Sequence, residues 1–441
     1  MTHSAPASRP EESSLAALVA ARPFLSLHAV DGLLLEEVPL ARIADVLGTP
    51  TWVLSAGTIT ARLAEFTSAL AGLARVHYAV KANDHLAVLR LMAAQGAGAD
   101  IVSEGELRRA RAAGIPASRI VFSGVGKSPR EIRLAITEGI LQLNVESGEE
   151  LEMVSAIASA LGRQVEVALR VNPDVDAGTH TKITTGTAAT KFGIPFAEAA
   201  TLYRHAATLP GVAPVGLAMH IGSQILTAAP YRAAFARMAA LVAELRAIGC
   251  AVRRMDCGGG LGIGYRHESD ASPAVLAGAI RAAFGTLDLE LMVEPGRWLV
   301  GPAGLLLTEV LLVKSRRFVI VDAAMNDLLR PAIYDAWHGV VPLAAAAYSA
   351  PLATLDVVGP VCESSDTFAR GRHLPLPAAG DRLAILDTGA YGSVMSSTYN
   401  ARPLAPIALV QGARWETIRE RGRHAELWAG ECIPGFLGSA P

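Results

Sequence analysis

At 441 residues the chain is too long for one ordinary core, so two domains are expected. It is 51% hydrophobic and only 18% charged, which excludes a disordered chain, and a formal net charge of −2 gives no field to attract nucleic acid. The longest apolar stretch, 340–355, is broken by two prolines, so no membrane span is expected.

Glu11 and Glu12 precede a short apolar run, the reverse of a secretory signal, and residues 1–22 are expected to be a disordered leader. Asp31-Gly32 between apolar runs predicts a hairpin within 24–40. Residues 23–55 are expected to form a β segment packing with a C-terminal β domain. A helix follows over about 58–73, and then a rhythm begins. Apolar runs centre near Tyr78, Asp100-Ile101, Val121, Leu143, Val167–Leu169, Leu217–Met219, Met255 and Met292. Between them lie helical segments at 86–95, 104–113, 129–138, 149–161, 195–208, 231–248 and 274–284. Ser103, Ser128 and Ser147 are their expected caps, Asn83-Asp84 should cap the first, and Gly96, Gly114, Gly139, Gly162 and Gly249 stop several. Eight strands alternating with helices predict an α/β fold, a (β/α)8 TIM-type barrel over 56–302; a doubly wound open sheet is the alternative. Beyond Gly301, short strands with little helix between them predict a second, mostly β domain over 303–441. Four cysteines (250, 257, 362 and 432) stand far apart with no C-x-x-C pair, which argues against disulfides or zinc and for the cytoplasm.

The chain has five lysines against 34 arginines, so few amines are available for chemistry. Lys81 stands where the run Val76–Val80 stops. A lysine, unlike an arginine, can lose its proton in dry surroundings and form a Schiff base; its bland reading is a surface cation. Reactive groups of such barrels come from the C-terminal ends of the strands. Those positions hold Lys81, Ser103-Glu104, Arg170 and Asn172, His220–Ser223, the run Gly258, Gly259, Gly260, Leu261, Gly262, and Glu294-Pro295-Gly296-Arg297. The glycine run lets backbone N–H groups approach a phosphate, and its G-G-G-x-G spacing is not that of a dinucleotide loop. Gly124-Val-Gly126-Lys127-Ser128 imitates the end of a P-loop, but its first glycine would fall at Val121, so it reads as a plain loop. His220 alone reads as a hydrogen-bonded core histidine, Glu294 as a partner for Arg297, and Cys362 as an inert small hydrophobe.

Taken together, seven pieces resemble the alanine-racemase-like, fold type III pyridoxal-phosphate decarboxylases, and within them the diaminopimelate group. They are 78–83 (YAVKAN), 220–224 (HIGSQ), 258–263 (GGGLGI), 294–297 (EPGR), 325–335 (MNDLLRPAIYD), 359–364 (GPVCES), and Gly389–Tyr391 with Met395–Ser397. They run in family order over nearly the whole chain. The resemblance implies that pyridoxal 5'-phosphate is held by Lys81 as a Schiff base, with His220 stacked on its ring. It implies phosphate contacts from Ser223, Gly258, Gly259, Gly260, Gly296 and Tyr391, and counts Asp100 and Arg297 among the cofactor contacts. Arg297, Arg330, Tyr334 and Tyr391 look like substrate contacts. Cys362 and Glu363 look like a pair supplied across a homodimer interface, Cys362 as the catalytic proton donor.

A carboxylate at Glu294 would keep the ring nitrogen protonated, where racemases of this fold carry an arginine; an acid favours decarboxylation. The implied reaction is decarboxylation of meso-2,6-diaminopimelate to L-lysine and carbon dioxide. Arg297, Arg330 and Glu363 supply the charges that a second amino-acid head requires. Alternatives are a decarboxylase of another basic amino acid or of a carboxylated polyamine, and a silent regulatory relative, against which the intact Lys81 and Cys362 argue. The polar loop 174–190 is expected to be a lid.

Overall fold

A computed structural model describes residues 14–176, 191–266 and 268–438. The expected lid lies almost wholly outside the described residues. Eight parallel strands close on themselves: Arg75–Ala79, Gly98–Ile101, Ile120–Phe122, Gln142–Val145, Val165–Asn172, Val212–Ala218, Arg254–Asp256 and Glu290–Val293. Closure is made by Met292 pairing with Arg75 and Val293 with Val76.

The helices begin and end where their side chains allow. Ser103, Ser128 and Ser147 each accept the backbone N–H three residues on, and Ser128 with Glu131 completes a capping box. Gly139 ends its helix in the left-handed region, φ +70°, a conformation that costs glycine nothing. Two local expectations are corrected. The helix Leu86–Ala94 is capped by His85, whose Nδ1 accepts from Ala87 N–H. Asn83 stands one step earlier: its Oδ1 accepts from His85 N–H (3.2 Å), while its Nδ2 donates to Gly389 O (3.0 Å) and joins the barrel to the β domain. The helix expected over 195–208 runs as a 3-10 turn, Phe196–Glu198, into the α-helix Ala199–Ala206, while Ile194-Pro195 pairs as an extra strand beside Val171-Asn172.

The second unit is a mostly β sheet built on the long strand Gly304–Lys314. Thr51–Ser55 lies between that strand and Ile407–Gln411. The hairpin Leu25–His28/Gly32–Leu35 turns at the Asp31-Gly32 signal and bonds the β domain through Leu33 N–H to Leu343 O (2.8 Å). Thr367–Pro375, Arg414–Arg419 and Val340–Pro342 are strands that apolar content alone did not reveal. Of the leader expected through residue 22, residues 1–13 lie outside the described residues and the rest is folded: Leu15–Ala20 is a helix, and Arg22 is buried with Nε 2.9 Å from Asp387 Oδ1. A buried guanidinium needs a paired carboxylate, and that pairing fixes the segment.

Candidate active site

Strand Arg75–Ala79 is followed by a single 3-10 turn, Val80–Ala82, which places Lys81 at the barrel mouth. Its Nζ donates to Asp100 Oδ2 at 2.7 Å. Asp100 comes from the neighbouring strand, level with Ala79, and is fully buried; among the described residues its other oxygen has no hydrogen-bond partner. Burial opposes the Lys81 charge, but Asp100 and then Glu294 outweigh it and lift the amine above its ordinary pKa. The side chain keeps 36% of its surface open, so the amine is reachable. Glu294, after the eighth strand, is pushed well above the carboxylate range by burial, then by Asp100 and Asp256, with Lys81 pulling the other way.

The glycine run is fixed by close packing. A Cβ on Gly258 (φ +68°) would lie 2.1 Å from Met219 O, and one on Gly260 (φ +97°) 2.2 Å from Gly222 O. Gly259 has no such freedom to spare either, since a Cβ there would meet Glu294 O at 2.0 Å. Gly259 N–H donates to His220 Nδ1 (3.3 Å), which puts the imidazole proton on Nε2. Burial, with Arg170 and Lys81, keeps that ring neutral.

Beside this run stands Arg297, immediately after Gly296. Its Nη2 donates to Ser223 Oγ (3.1 Å) and its Nη1 to Tyr265 Oη (2.8 Å), and its guanidinium lies 4.9 Å over the Tyr391 ring. Among the described residues its Nε has no hydrogen-bond partner. Tyr391 is held in turn by its N–H to Ala82 O (2.8 Å), next to Lys81. Arg330, on the short helix Arg330–Tyr334, lies 5.0 Å over the other ring of the group, Tyr265, and donates from Nη1 to His338 Nε2 (2.7 Å). Tyr334 ends the same helix within electrostatic reach of Arg297.

Lys81, Asp100, His220, Ser223, Gly258, Gly259, Gly260, Glu294, Gly296, Arg297, Arg330, Tyr334 and Tyr391 are thus gathered at one end of the barrel. Cys362 and Glu363 are not. They lie in the β domain between strands Leu352–Val358 and Thr367–Pro375, both exposed. Glu363 bonds Tyr399 Oη and accepts from Ser365 Oγ (3.1 Å). Among the described residues no hydrogen bond or ion pair joins either of them to Lys81. The P-loop imitation is structural: Lys127 Nζ is spent on Gly124 O, Asn144 O and Glu150, each at 2.7 Å.

Sequence reasoning missed Tyr265, His338 and Asp256. Tyr265 carries a weak signal, standing just past the glycine run; Asp256 carries a better one, an acid inside a strand directly before it.

The donor set fits an anionic aldehyde cofactor. A backbone cradle with no room for side chains, the Ser223 hydroxyl, an arginine nitrogen with no partner among the described residues, a reachable amine and a buried acid share one mouth. Residues 56–301 match the family described as pyridoxal-dependent decarboxylase, pyridoxal binding domain. The chain belongs to this family. Its relatives narrow the class. Diaminopimelate decarboxylase of Zymomonas mobilis is 46% identical over 398 residues, spanning 88% of this chain and 94% of its own. The crystal structure of diaminopimelate decarboxylase from Helicobacter pylori complexed with L-lysine superposes with a TM-score of 0.86 at 40% identity, covering 89% of this chain and 98% of that one. The enzyme of M. jannaschii, in co-complex with L-lysine, gives a TM-score of 0.89 at 34% identity over 95% and 99%. Among the described residues no helix is long and apolar enough to cross a membrane.

Proposed function

We propose that the protein decarboxylates meso-2,6-diaminopimelate to L-lysine and carbon dioxide. The observation that carries this reading is the buried acid Glu294 in electrostatic contact with the reachable amine of Lys81. Pyridoxal phosphate, when bound, supplies a sink for the electron pair left on Cα as carbon dioxide departs. Lys81 holds the cofactor through Nζ, and Asp100 keeps that amine at the mouth. Glu294 would face the ring nitrogen, where its carboxylate would accept from that nitrogen and favour its protonated form. His220, neutral and turned by Gly259, covers the ring. Gly258, Gly259, Gly260, Ser223, Gly296 and Tyr391 take the phosphate, with Arg297 beside them.

Arg297 and Arg330 flank Tyr265, a spacing that suits substrate carboxylates, with Tyr334 at the rim. An ornithine-type substrate has no distal carboxylate for Arg330 to hold. The remaining roles come from a second copy of the chain in a homodimer: the partner's Cys362 returns a proton to Cα, and the partner's Glu363 takes the distal ammonium. The exposure of both residues in one chain supports this, as four unpaired cysteines support a cytoplasmic setting.

Carbon dioxide release measured with the diaminopimelate isomers, lysine, ornithine and arginine tests the reading. Turnover of the meso isomer is expected. Release from lysine or ornithine in its place moves the protein to another decarboxylase of basic amino acids, and no release from any substrate overturns catalysis.

A further inference from the structure

Barrels of this type usually fill their axis with branched apolar side chains. Here the axis is polar, and its side chains join end to end. Nearest the closed end, Arg254 donates from Nη1 to Glu166 Oε2 (3.0 Å) and from Nε to Glu290 Oε2 (3.3 Å), two carboxylates partly in solvent. Arg254 Nη1 also donates to Gln142 Oε1 (3.0 Å), and Gln142 Nε2 donates to Asn144 Oδ1 (2.7 Å). Asn144 Nδ2 donates to Asp256 Oδ2 (3.0 Å) and to Ser123 Oγ (3.1 Å). Ser123 Oγ reaches Glu294 Oε1 at 3.5 Å, the longest link of the series. Gln142, Asn144, Ser123 and Asp256 are all 5% exposed or less.

The direction of this series is not free. A guanidinium accepts nothing, so Gln142 must turn its oxygen to Arg254 and its amide nitrogen to Asn144. That choice fixes Asn144 the same way round. Ser123, already accepting from Asn144, has its one proton left for Glu294. Every link therefore donates toward the barrel mouth, and bonds aligned in one sense polarise one another. Reversing either buried amide would leave donors facing donors.

We propose that Arg254, Gln142 and Asn144 are positioning residues, a one-way hydrogen-bond chain anchored at the closed end of the barrel that holds Glu294 as an acceptor facing the cofactor ring nitrogen. The proposal rests on the reading of Glu294 given above. Amides and a guanidinium do not pass protons along at working pH, so the chain orients and does not conduct. Asp256, held also by Gly258 N–H (3.0 Å), is its second terminus and ties the glycine cradle to the same series.

The test uses holoenzyme loaded with pyridoxal phosphate 15N-labelled in the ring, read by nitrogen NMR beside steady-state kinetics. Gln142→Glu keeps the volume and the acceptor for Arg254 and removes the donor to Asn144; Asn144→Leu removes the link itself. Both are expected to lower kcat by roughly 10-fold with KM nearly unchanged, and to move the ring-nitrogen resonance toward its unprotonated position. Glu294→Gln should move it furthest. An unmoved resonance in folded, loaded Gln142→Glu, with a moved one in Glu294→Gln, overturns the chain while sparing the role of Glu294. An unmoved resonance in Glu294→Gln overturns that role first. Should Asn144→Leu fail to fold, the near-isosteric Gln142→Glu decides alone; a purely structural role lowers its melting temperature and leaves the resonance in place.

Discussion

At the barrel mouth the charged groups are held by side chains of the same chain: Lys81 by Asp100, Arg170 by Glu146, Arg330 by His338, Arg297 by Ser223 and Tyr265. The loop 359–366 of the β domain presents its two reactive types, Cys362 and Glu363, to solvent. Yet the loop is not slack. Asp366, 2% exposed, accepts from Val361 N–H and Met325 N–H, both at 2.7 Å, while Gly359 N–H donates to Asp366 O (3.0 Å). One region is organised around its own chain, and the other is stiffened around an exposed face. Under the proposal of shared sites, this rigid loop offers its thiol and its acid to a second chain.

Breaking the first region should cost most. Lys81→Ala is expected to lose the visible absorbance of covalently held cofactor and activity by roughly 10^4-fold or more; a retained absorbance would move the attachment to another amine. Cys362→Ala should keep the cofactor and lose on the order of 10^2- to 10^4-fold in turnover, the range of a general acid. The two regions can then be tested against each other. Equal amounts of Lys81→Ala and Cys362→Ala chains, unfolded and refolded together, should regain about a quarter of native activity, because half the dimers are hybrids with one intact site of two. No recovery would mean that each site is built within one chain.

A smaller effect is expected where the N-terminal segment meets the site. Arg22 is the buried partner of Asp387, four residues before Tyr391. Arg22→Ala leaves that carboxylate uncompensated and should destabilise the fold by about 3 kcal/mol in urea titrations. Replacing both residues with leucine should recover most of the loss; a single-variant loss below about 1 kcal/mol would show that water reaches Asp387.

The barrel was legible because its signals are local. Caps such as Ser128 with Glu131, stop glycines such as Gly139, and short apolar runs each act within a few residues. The mouth was legible through residue types at strand ends. What stayed hidden depends on long-range pairing. Nothing near Arg22 announces Asp387, 365 positions away. Strand Thr367–Pro375 buries its side chains without alternation and has two arginines inside, and only its antiparallel partner Leu352–Val358 fixes it. Asn83 reads as a cap by type, but a backbone carbonyl at Gly389 claims its amide.

The smallest expected effect sharpens the picture of a mouth held at electrostatic cost. Glu106 stands in the first turn of helix Glu104–Ala112 and accepts from Val102 N–H at 2.7 Å. Burial pushes its pKa up to about 7 from the ordinary 4.5, with Asp100 and Asp84 adding repulsion against the pull of Val102 N–H and Lys81. Between those two values the folded protein holds a proton that the unfolded chain has released. Stability from this group is therefore whole below about pH 4.5 and is lost as pH rises through about 7. Glu106→Gln keeps an acceptor for Val102 and cannot ionise. It should raise stability by about 1–2 kcal/mol at pH 8 and leave it nearly unchanged at pH 5, as read from urea midpoints. An equal gain at both pH values would trace the effect to packing and would remove Glu106 from the charges that crowd Lys81 and Asp100.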